Sequence, residues 1–270
     1  MKIVFIGGGN MAAALISGLV KVAGSGANIH VVDRNPEALE RLAQQYGVTT
    51  ATGIDAQVQH AEVVVLAVKP QQMREVAAAL APHLTRQLVL SIAAGIRSSD
   101  LARWLGGYDA IVRTMPNTPA LIGMGVTGMA AQPGVSDAQR AQADAVMRAV
   151  GKTVWLDDES QIDPVTAVSG SGPAYVFYFL EAMQEAARAM GLSPEQGREL
   201  ALATFTGAAQ LAAQSDEPVD VLRQRVTSKG GTTHAAIESM EAAGVKQAIV
   251  AAMAAAAARG RELGEELGRD

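Results

Sequence analysis

A short apolar run, Lys2-Ile-Val-Phe-Ile6, passes without a break into Gly7-Gly8-Gly9-Asn10-Met11-Ala12 and then into a helical pattern. A strand, a glycine turn and a helix in immediate succession leave few folds open. In Gly7-x-Gly9-x-x-Ala12, Gly7 allows a tight turn, Gly9 lets the backbone approach a pyrophosphate, and the small Ala12 lets helix and strand pack closely. The phosphates of a dinucleotide would lie on the helix amino terminus. A merely tight strand-to-helix turn is the plain alternative, and the residues ending the next apolar run weigh against it. There Asp33 suits a ribose 2′-hydroxyl, as in NAD, whereas Arg34 and Asn35 suit the 2′-phosphate of NADP. Asp33 could equally accept a hydrogen bond within its own loop, and Asn35 could simply cap the following helix.

Up to about residue 156, β-branched apolar runs alternate with helical stretches, the pattern of a doubly wound parallel sheet. Strands are expected at Lys2–Ile6, Ile29–Asp33, Val63–Ala67, Leu88–Ile92, Ala110–Thr114 and Thr153–Leu156. Asn35-Pro36 provides a cap followed by proline at the first helical position, and Ser136 with Gln139 has capping-box spacing. Beyond Asp157-Asp158 the text turns helical and Ala-rich, with a further cap at Ser193-Pro-Glu-Gln196. The expected fold is therefore α/β: a Rossmann-type doubly wound sheet over residues 1–158, then an all-helical domain over 159–270. Pro173-Ala-Tyr-Val-Phe-Tyr-Phe-Leu180 is apolar on every side, so something must cover it all round. A second copy of the chain is the expected cover, and burial within its own chain is the alternative. After the Ala254–Ala258 run, the final residues read as a fraying, solvated helix end.

Composition narrows the function. A formal net charge of −5 with no dense Lys/Arg run argues against nucleic acid and anionic membranes as partners and favours a small molecule. The chain has no cysteine, so disulfides and thiolate chemistry are excluded. Its four histidines show no ligand spacing, which makes a metal site unexpected. The first residues lack the long apolar core and cleavage site of a signal peptide, and no stretch reaches the length of a membrane span. A cytoplasmic protein is expected.

Three segments follow expected strands and should face the ligand crevice beyond their carboxyl ends. They are Ala67-Val68-Lys69-Pro70, Ser91-Ile-Ala-Ala94-Gly95 and Arg113-Thr-Met-Pro-Asn117-Thr-Pro119. Lys69 reads as a site residue and Asn117 as a cofactor contact. For Arg113 a structural ion pair and a ligand contact are equally good readings. In the helical half, Val226-Thr-Ser228-Lys229-Gly230-Gly231-Thr232-Thr233 sets a Ser, two Gly and two Thr before a helix. Such a loop can cradle a carboxylate with backbone N–H groups and offer hydroxyls to a nitrogen, although it can also be only a flexible cap.

Taken together, GGGNMA, AVKP, SIAAG, RTMPNTPA, SGSGPAYVF and VTSKGGTT, in this order over nearly the whole chain, resemble the pyrroline-5-carboxylate reductases. The resemblance implies reduction of 1-pyrroline-5-carboxylate to L-proline by hydride transfer from NAD(P)H, the last step of proline biosynthesis. It further implies a helical domain that interleaves with a second subunit to form a shared active site, in a homodimer or in a ring of dimers such as a decamer. NADPH is the preferred cofactor in many members, which tips the choice between Asp33 and Arg34 toward NADP. Residue by residue, Gly230, Gly231 and Thr232 would offer amides to the substrate carboxylate, and Thr233 would hydrogen-bond the ring nitrogen. Gly7 to Met11, Arg34, Ala67 to Pro70 and Ala94 would line the dinucleotide. Two positions depart from the family's pattern: Lys229 stands where many members have proline, and Ile54 stands about where many place an asparagine near the adenosine.

An iminium substrate brings its own proton, so no strong general acid is required, and none stands out in a candidate loop. Thr233 would orient the nitrogen and Lys69 would help position the nicotinamide side. A β-hydroxyacid dehydrogenase is the nearest alternative, but such enzymes place a catalytic lysine on the helix opening the second domain. This chain has Val165-Thr-Ala-Val-Ser-Gly-Ser-Gly172 there, without lysine. A non-catalytic NADPH-binding regulator is the alternative from another class, and the intact Gly-Gly-Thr-Thr loop argues against it.

Overall fold

The computed structural model describes residues 1–269. Eight strands form one sheet: β1 (Ile3–Ile6), β2 (Ile29–Val32), β3 (Thr49–Ala51), β4 (Val63–Leu66), β5 (Leu88–Ser91), β6 (Ile111–Met115), β7 (Gly125–Ala131) and β8 (Gly151–Trp155). Their order is β3-β2-β1-β4-β5-β6-β7-β8, parallel throughout except for the antiparallel β6–β7 pair. Each expected strand is present, with its ends displaced by at most two residues. Two strands escape the sequence reading. β3 is a three-residue edge strand with little burial. β7, Gly-Val-Thr-Gly-Met-Ala-Ala, consists largely of weak strand formers and is held by pairing to β6 on one side and β8 on the other.

Along the central strands every residue is buried, because helices cover both faces. The two-residue period sorts them. Ile3, Phe5, Val63, Val65, Leu88 and Leu90 join one core with Leu15 and Ile16 of α1 (Asn10–Ala23) and Leu42 of α2 (Pro36–Tyr46). Val4, Ile6, Val64, Leu66 and Val89 join the other with Met73, Ala77 and Leu80 of α3 (Met73–Leu80) and Leu101 of α4 (Ser98–Trp104). Each such Val or Leu stabilises the fold by about 1.5–3 kcal/mol. Asn35 caps α2 by accepting from Glu37 and Ala38 N–H, and Ser136 with Gln139 completes a capping box on α5 (Asp137–Arg148).

The chain divides into two compact units at a place other than the expected 158/159 boundary. Met1–Ser171 and the chain from Ala255 onward make the first unit, and Gly172–Ala254 makes the second. Residues just beyond 158 are tied to the sheet. Glu159 accepts from Ser98 N–H at 2.7 Å, from Arg113 Nη1 at 2.9 Å and from Gln132 Nε2 at 3.1 Å. Ile162 in α6 (Ile162–Val165) is buried. A π-helical turn over Thr166–Gly170 follows, in which Ser171 N–H bonds the Thr166 carbonyl.

The second unit contains α7 (Gly172–Ala189), α8 (Pro194–Gln214), α9 (Val219–Arg225), α10 (Thr232–Ala242) and the first part of α11 (Val245–Leu267). Ser193 and Gln196 form the expected capping box at α8. Phe179 and Phe205 stack tilted at 5.7 Å between α7 and α8. Within the single chain only Leu180 and Ala187 of α7 are buried, while Phe177 and Tyr178 remain 62% and 76% exposed. The chain by itself thus leaves the all-apolar segment largely uncovered. The end of α11 corrects a sequence expectation: it is no fraying, solvated end. Leu263 and Leu267 lie against Gly95, and Arg103 donates to the Gly268 carbonyl at 2.7 Å. Low complexity hid these contacts, which depend on residues far earlier in the chain. Among the described residues no single helix is long and apolar enough to cross a membrane.

Candidate active site

At the carboxyl end of β1 the chain turns at Gly7, whose φ of +106° is a conformation that side-chain-bearing residues rarely adopt. Space enforces the choice as well: a Cβ here would stand 2.7 Å from the Ala67 carbonyl carbon and oxygen. The Ala67-Val68-Lys69-Pro70 segment is thereby pressed directly onto the glycine turn. Gly9 is the opposite case, since a Cβ there meets nothing within 4 Å. Gly9 is also the N-cap of α1, and no side chain caps that helix or places an acid in its first turn. Open space in front of uncapped amides is what a pyrophosphate requires.

A cleft of about 700 Å³ runs from this turn, lined by Gly7, Gly9, Asp33, Arg34, Asn35, Ala67, Val68 and Lys69. It opens where β2 and β4 diverge on either side of β1, the switch point at which doubly wound sheets bind ligands. Lys69 is exposed on its wall, just before the short turn Pro70–Gln72. Thr52, Gly53 and Ile54 form a further stretch of wall, so the position that departs from the family's asparagine lies at the cleft. Gln72, Glu75, Val76, Ala79 and His83 complete the lining. The sequence reading missed these last residues, although their spacing of three or four from the Lys69 motif onward marks one face of a helical stretch. His83 Nδ1 is buried without a hydrogen-bond partner, as suits the wall of a ligand site. Volume, open amides and the charged residues Asp33, Arg34, Lys69 and Glu75 on the wall fit a dinucleotide.

The ambiguous residues after β2 have definite partners. Asp33 accepts from Gly8 N–H at 2.6 Å through one carboxylate oxygen and from Asn35 N–H at 2.8 Å through the other. The Asn35 side chain is the α2 cap. Both alternative readings, a loop hydrogen bond and a helix cap, are thus realised, and Asn35 reaches the cleft only as a wall residue. Arg34 alone of the three extends a charged side chain that is free of the backbone. Its guanidinium pairs with Glu75, which holds its pKa above the ordinary value through the side-chain hydrogen bond and the opposite charge.

Asn10, Met11, Pro70 and Ala94 are not among the lining residues: Asn10 and Met11 open α1, and Pro70 begins the short turn after Lys69. Asn117 has two partners within the protein. It is 8% exposed, donates to the Ser169 carbonyl at 3.2 Å and accepts from Val126 N–H at 2.9 Å. Its amide ties the loop after β6 to β7 and to the π-helical turn, which gives it a structural role. We expect Asn117→Ala to lower unfolding stability by about 1–3 kcal/mol through the unsatisfied groups left behind. NADPH affinity, measured in the same preparation, should stay unchanged. Arg113 is likewise structural: 5% exposed, it pairs with Glu159 at 2.9 Å and stands 3.9 Å from Asp163.

The loop before α10 is built in the second unit. Gly230 has φ +77°, Gly231 N–H bonds the Ser228 carbonyl at 3.0 Å, and Gly231 is the N-cap of α10. No side chain caps this helix, and neither Thr232 nor Thr233 has a hydroxyl hydrogen bond among the described residues. Amides and hydroxyls are presented together at one exposed helix start. Ser228 and Lys229 are exposed on the same loop. Among the described residues no three His, Asp or Glu side chains are grouped to hold a metal ion.

Residues 159–263 match the family model described as pyrroline-5-carboxylate reductase dimerisation, and residues 2–95 match one described as NADP oxidoreductase coenzyme F420-dependent. A pyrroline-5-carboxylate reductase from Pseudomonas aeruginosa is 48% identical over 269 residues, covering 99% of this chain and 98% of the relative. A solved pyrroline-5-carboxylate reductase from Coxiella burnetii superposes with a TM-score of 0.92 at 41% identity, covering 97% of this chain and 98% of that one. The Plasmodium falciparum pyrroline carboxylate reductase, solved with NADP bound, gives a TM-score of 0.87 at 28% identity with 98% of each chain covered.

Proposed function

The chain belongs to the pyrroline-5-carboxylate reductase family, and from that premise we propose how its own residues carry out the family's reaction. The protein is an oxidoreductase that reduces 1-pyrroline-5-carboxylate to L-proline with NADP(H), the closing step of proline biosynthesis. In our reading the first unit supplies the cofactor cleft: Gly7, Gly9 and the open end of α1 receive the pyrophosphate, Arg34 faces the 2′-phosphate, and Ala67 to Lys69 form the wall. Bound NADPH supplies the hydride. Gly230 and Thr232 offer backbone amides to the substrate carboxylate at the start of α10, Gly231, whose N–H is held by the Ser228 carbonyl, shapes the turn between them, and Thr233 accepts from the ring nitrogen and fixes its orientation. Orientation of this kind can remove about 7–11 kcal/mol from a barrier in favourable cases, so a site without a dedicated acid is adequate. The protonated imine needs no further proton before hydride arrives.

The observation that carries this assignment is the pair of uncapped helix starts, α1 and α10, each preceded by glycines and each leaving its amides open. Steady-state oxidation of NADPH, and separately of NADH, with 1-pyrroline-5-carboxylate tests it. Turnover with neither cofactor in a folded sample that still binds them would remove the reductase reading.

Lys69 is the positioning residue of the cleft wall, and Lys69→Met is expected to raise KM for NADPH by about three- to tenfold, the range of one exposed charge contact. Unchanged cofactor and substrate constants would end that role. The dimerisation domain and the uncovered apolar face of α7 support a homo-oligomer. We extend this to a site shared between two subunits, in dimers or decameric rings, measurable by sedimentation and by activity recovered from mixed inactive variants. A cytoplasmic enzyme accords with the cysteine-free sequence.

A further inference from the structure

The sequence places an acid and a base side by side after β2 and leaves open which one sets cofactor choice. The fold adds a third group, Glu75, which the sequence reading did not consider. Glu75 sits in the first turn of α3 and lines the same cleft wall as Asp33 and Arg34. Its Oε1 accepts from Arg34 Nη2 across 41 residues of chain. Among the described residues the Arg34 guanidinium has no other partner. The neighbouring acid is engaged differently, because both Asp33 oxygens accept backbone N–H groups.

We propose that Glu75 is a specificity-determining residue for the cofactor, one that competes with the 2′-phosphate of NADP for Arg34. The inference rests on the assignment of this cleft to the dinucleotide. Arg34 is the cation able to grip a phosphate with a bidentate fork, and Glu75 already occupies one side of that fork. Binding of NADPH must therefore take Arg34 from Glu75 and bring a multiply charged phosphate near a carboxylate. NADH carries a hydroxyl in that place, and the Arg34–Glu75 pair can persist beside it. Glu75 thus holds the preference for NADPH over NADH below what Arg34 alone would give. Both side chains are largely exposed, 73% and 66%, so solvent screens the effect and keeps it modest.

The test is calorimetric titration of the full-length protein with 2′,5′-ADP and with 5′-AMP, together with NADPH and NADH affinities read from nicotinamide fluorescence. Wild type is compared with Glu75→Gln, Arg34→Ala and the double variant. Glu75→Gln should bind 2′,5′-ADP and NADPH about three- to tenfold more tightly, while 5′-AMP and NADH move by less than about twofold. The gain should shrink as salt is raised and should be smaller in the Arg34→Ala background. An equal shift for both cofactors would mean a structural role, and weaker NADH binding would mean that Glu75 accepts from the ribose. Either result, or no change in 2′,5′-ADP affinity, would overturn the proposal. A wild-type protein that bound neither NADPH nor 2′,5′-ADP would instead overturn the cleft assignment, and this inference with it.

Discussion

Gly7→Ala should abolish measurable NADPH binding and lower the stability of the protein by about 2–5 kcal/mol. Two independent penalties act at this residue. The backbone holds φ at +106°, outside even the small left-handed region that other residues visit. The added methyl would also stand 2.7 Å from the Ala67 carbonyl, in a segment fixed by the Ala67 N–H bond to the Ile6 carbonyl at 2.8 Å. Backbone, unlike a flexible side chain, cannot step aside cheaply, so β1 and β4 would have to part at the mouth of the cleft. Gly9→Ala provides the contrast. Its methyl meets no protein atom within 4 Å, so stability should change little while NADPH affinity falls, because the methyl occupies the phosphate's approach. Chemical denaturation and cofactor titration of the two variants separate the effects. Wild-type NADPH affinity in Gly7→Ala would refute the phosphate-turn assignment.

Thr233→Ala should lower kcat/KM for 1-pyrroline-5-carboxylate by about ten- to a hundredfold, the worth of one hydrogen bond to a charged group. Thr233 is exposed in the first turn of α10, and its hydroxyl has no partner within the chain, so its removal leaves no buried group unsatisfied. Folding and NADPH affinity should therefore remain as in wild type, which distinguishes a role at the substrate from a structural one. Thr233→Ser, which keeps the hydroxyl, should recover most of the loss. Wild-type kcat/KM in the alanine variant would remove Thr233 from the mechanism. The neighbouring Lys229 is exposed and adds positive charge beside this loop, and nothing in the structure explains a lysine at this position.

Most of what the sequence made legible is local. The strand before Gly7, the caps at Asn35, Ser136 and Ser193, and the glycine turns depend on residues within a few positions of one another. Their backbone preferences are fixed by sterics and by the nearest hydrogen-bonding side chain. β3 and β7 were not legible in this way, since a three-residue edge and a glycine-rich strand owe their form to their neighbours in the sheet.

The sequence by itself determined the doubly wound half, the helical half, the glycine turn after β1 and the Gly-Gly-Thr-Thr loop, because period and turn chemistry are carried by adjacent residues. Tertiary structure alone decided what the ambiguous polar groups do. Asp33 bonds the glycine turn 25 residues earlier, Asn117 reaches Ser169 52 residues later, and Arg103 reaches Gly268 across 165 residues. A polar side chain takes whichever partner the fold brings within about 3 Å, and that partner is set by the fold rather than by sequence neighbourhood. The pairing of Arg34 with Glu75 is of the same kind, which is why cofactor choice could not be read from the residues after β2 alone.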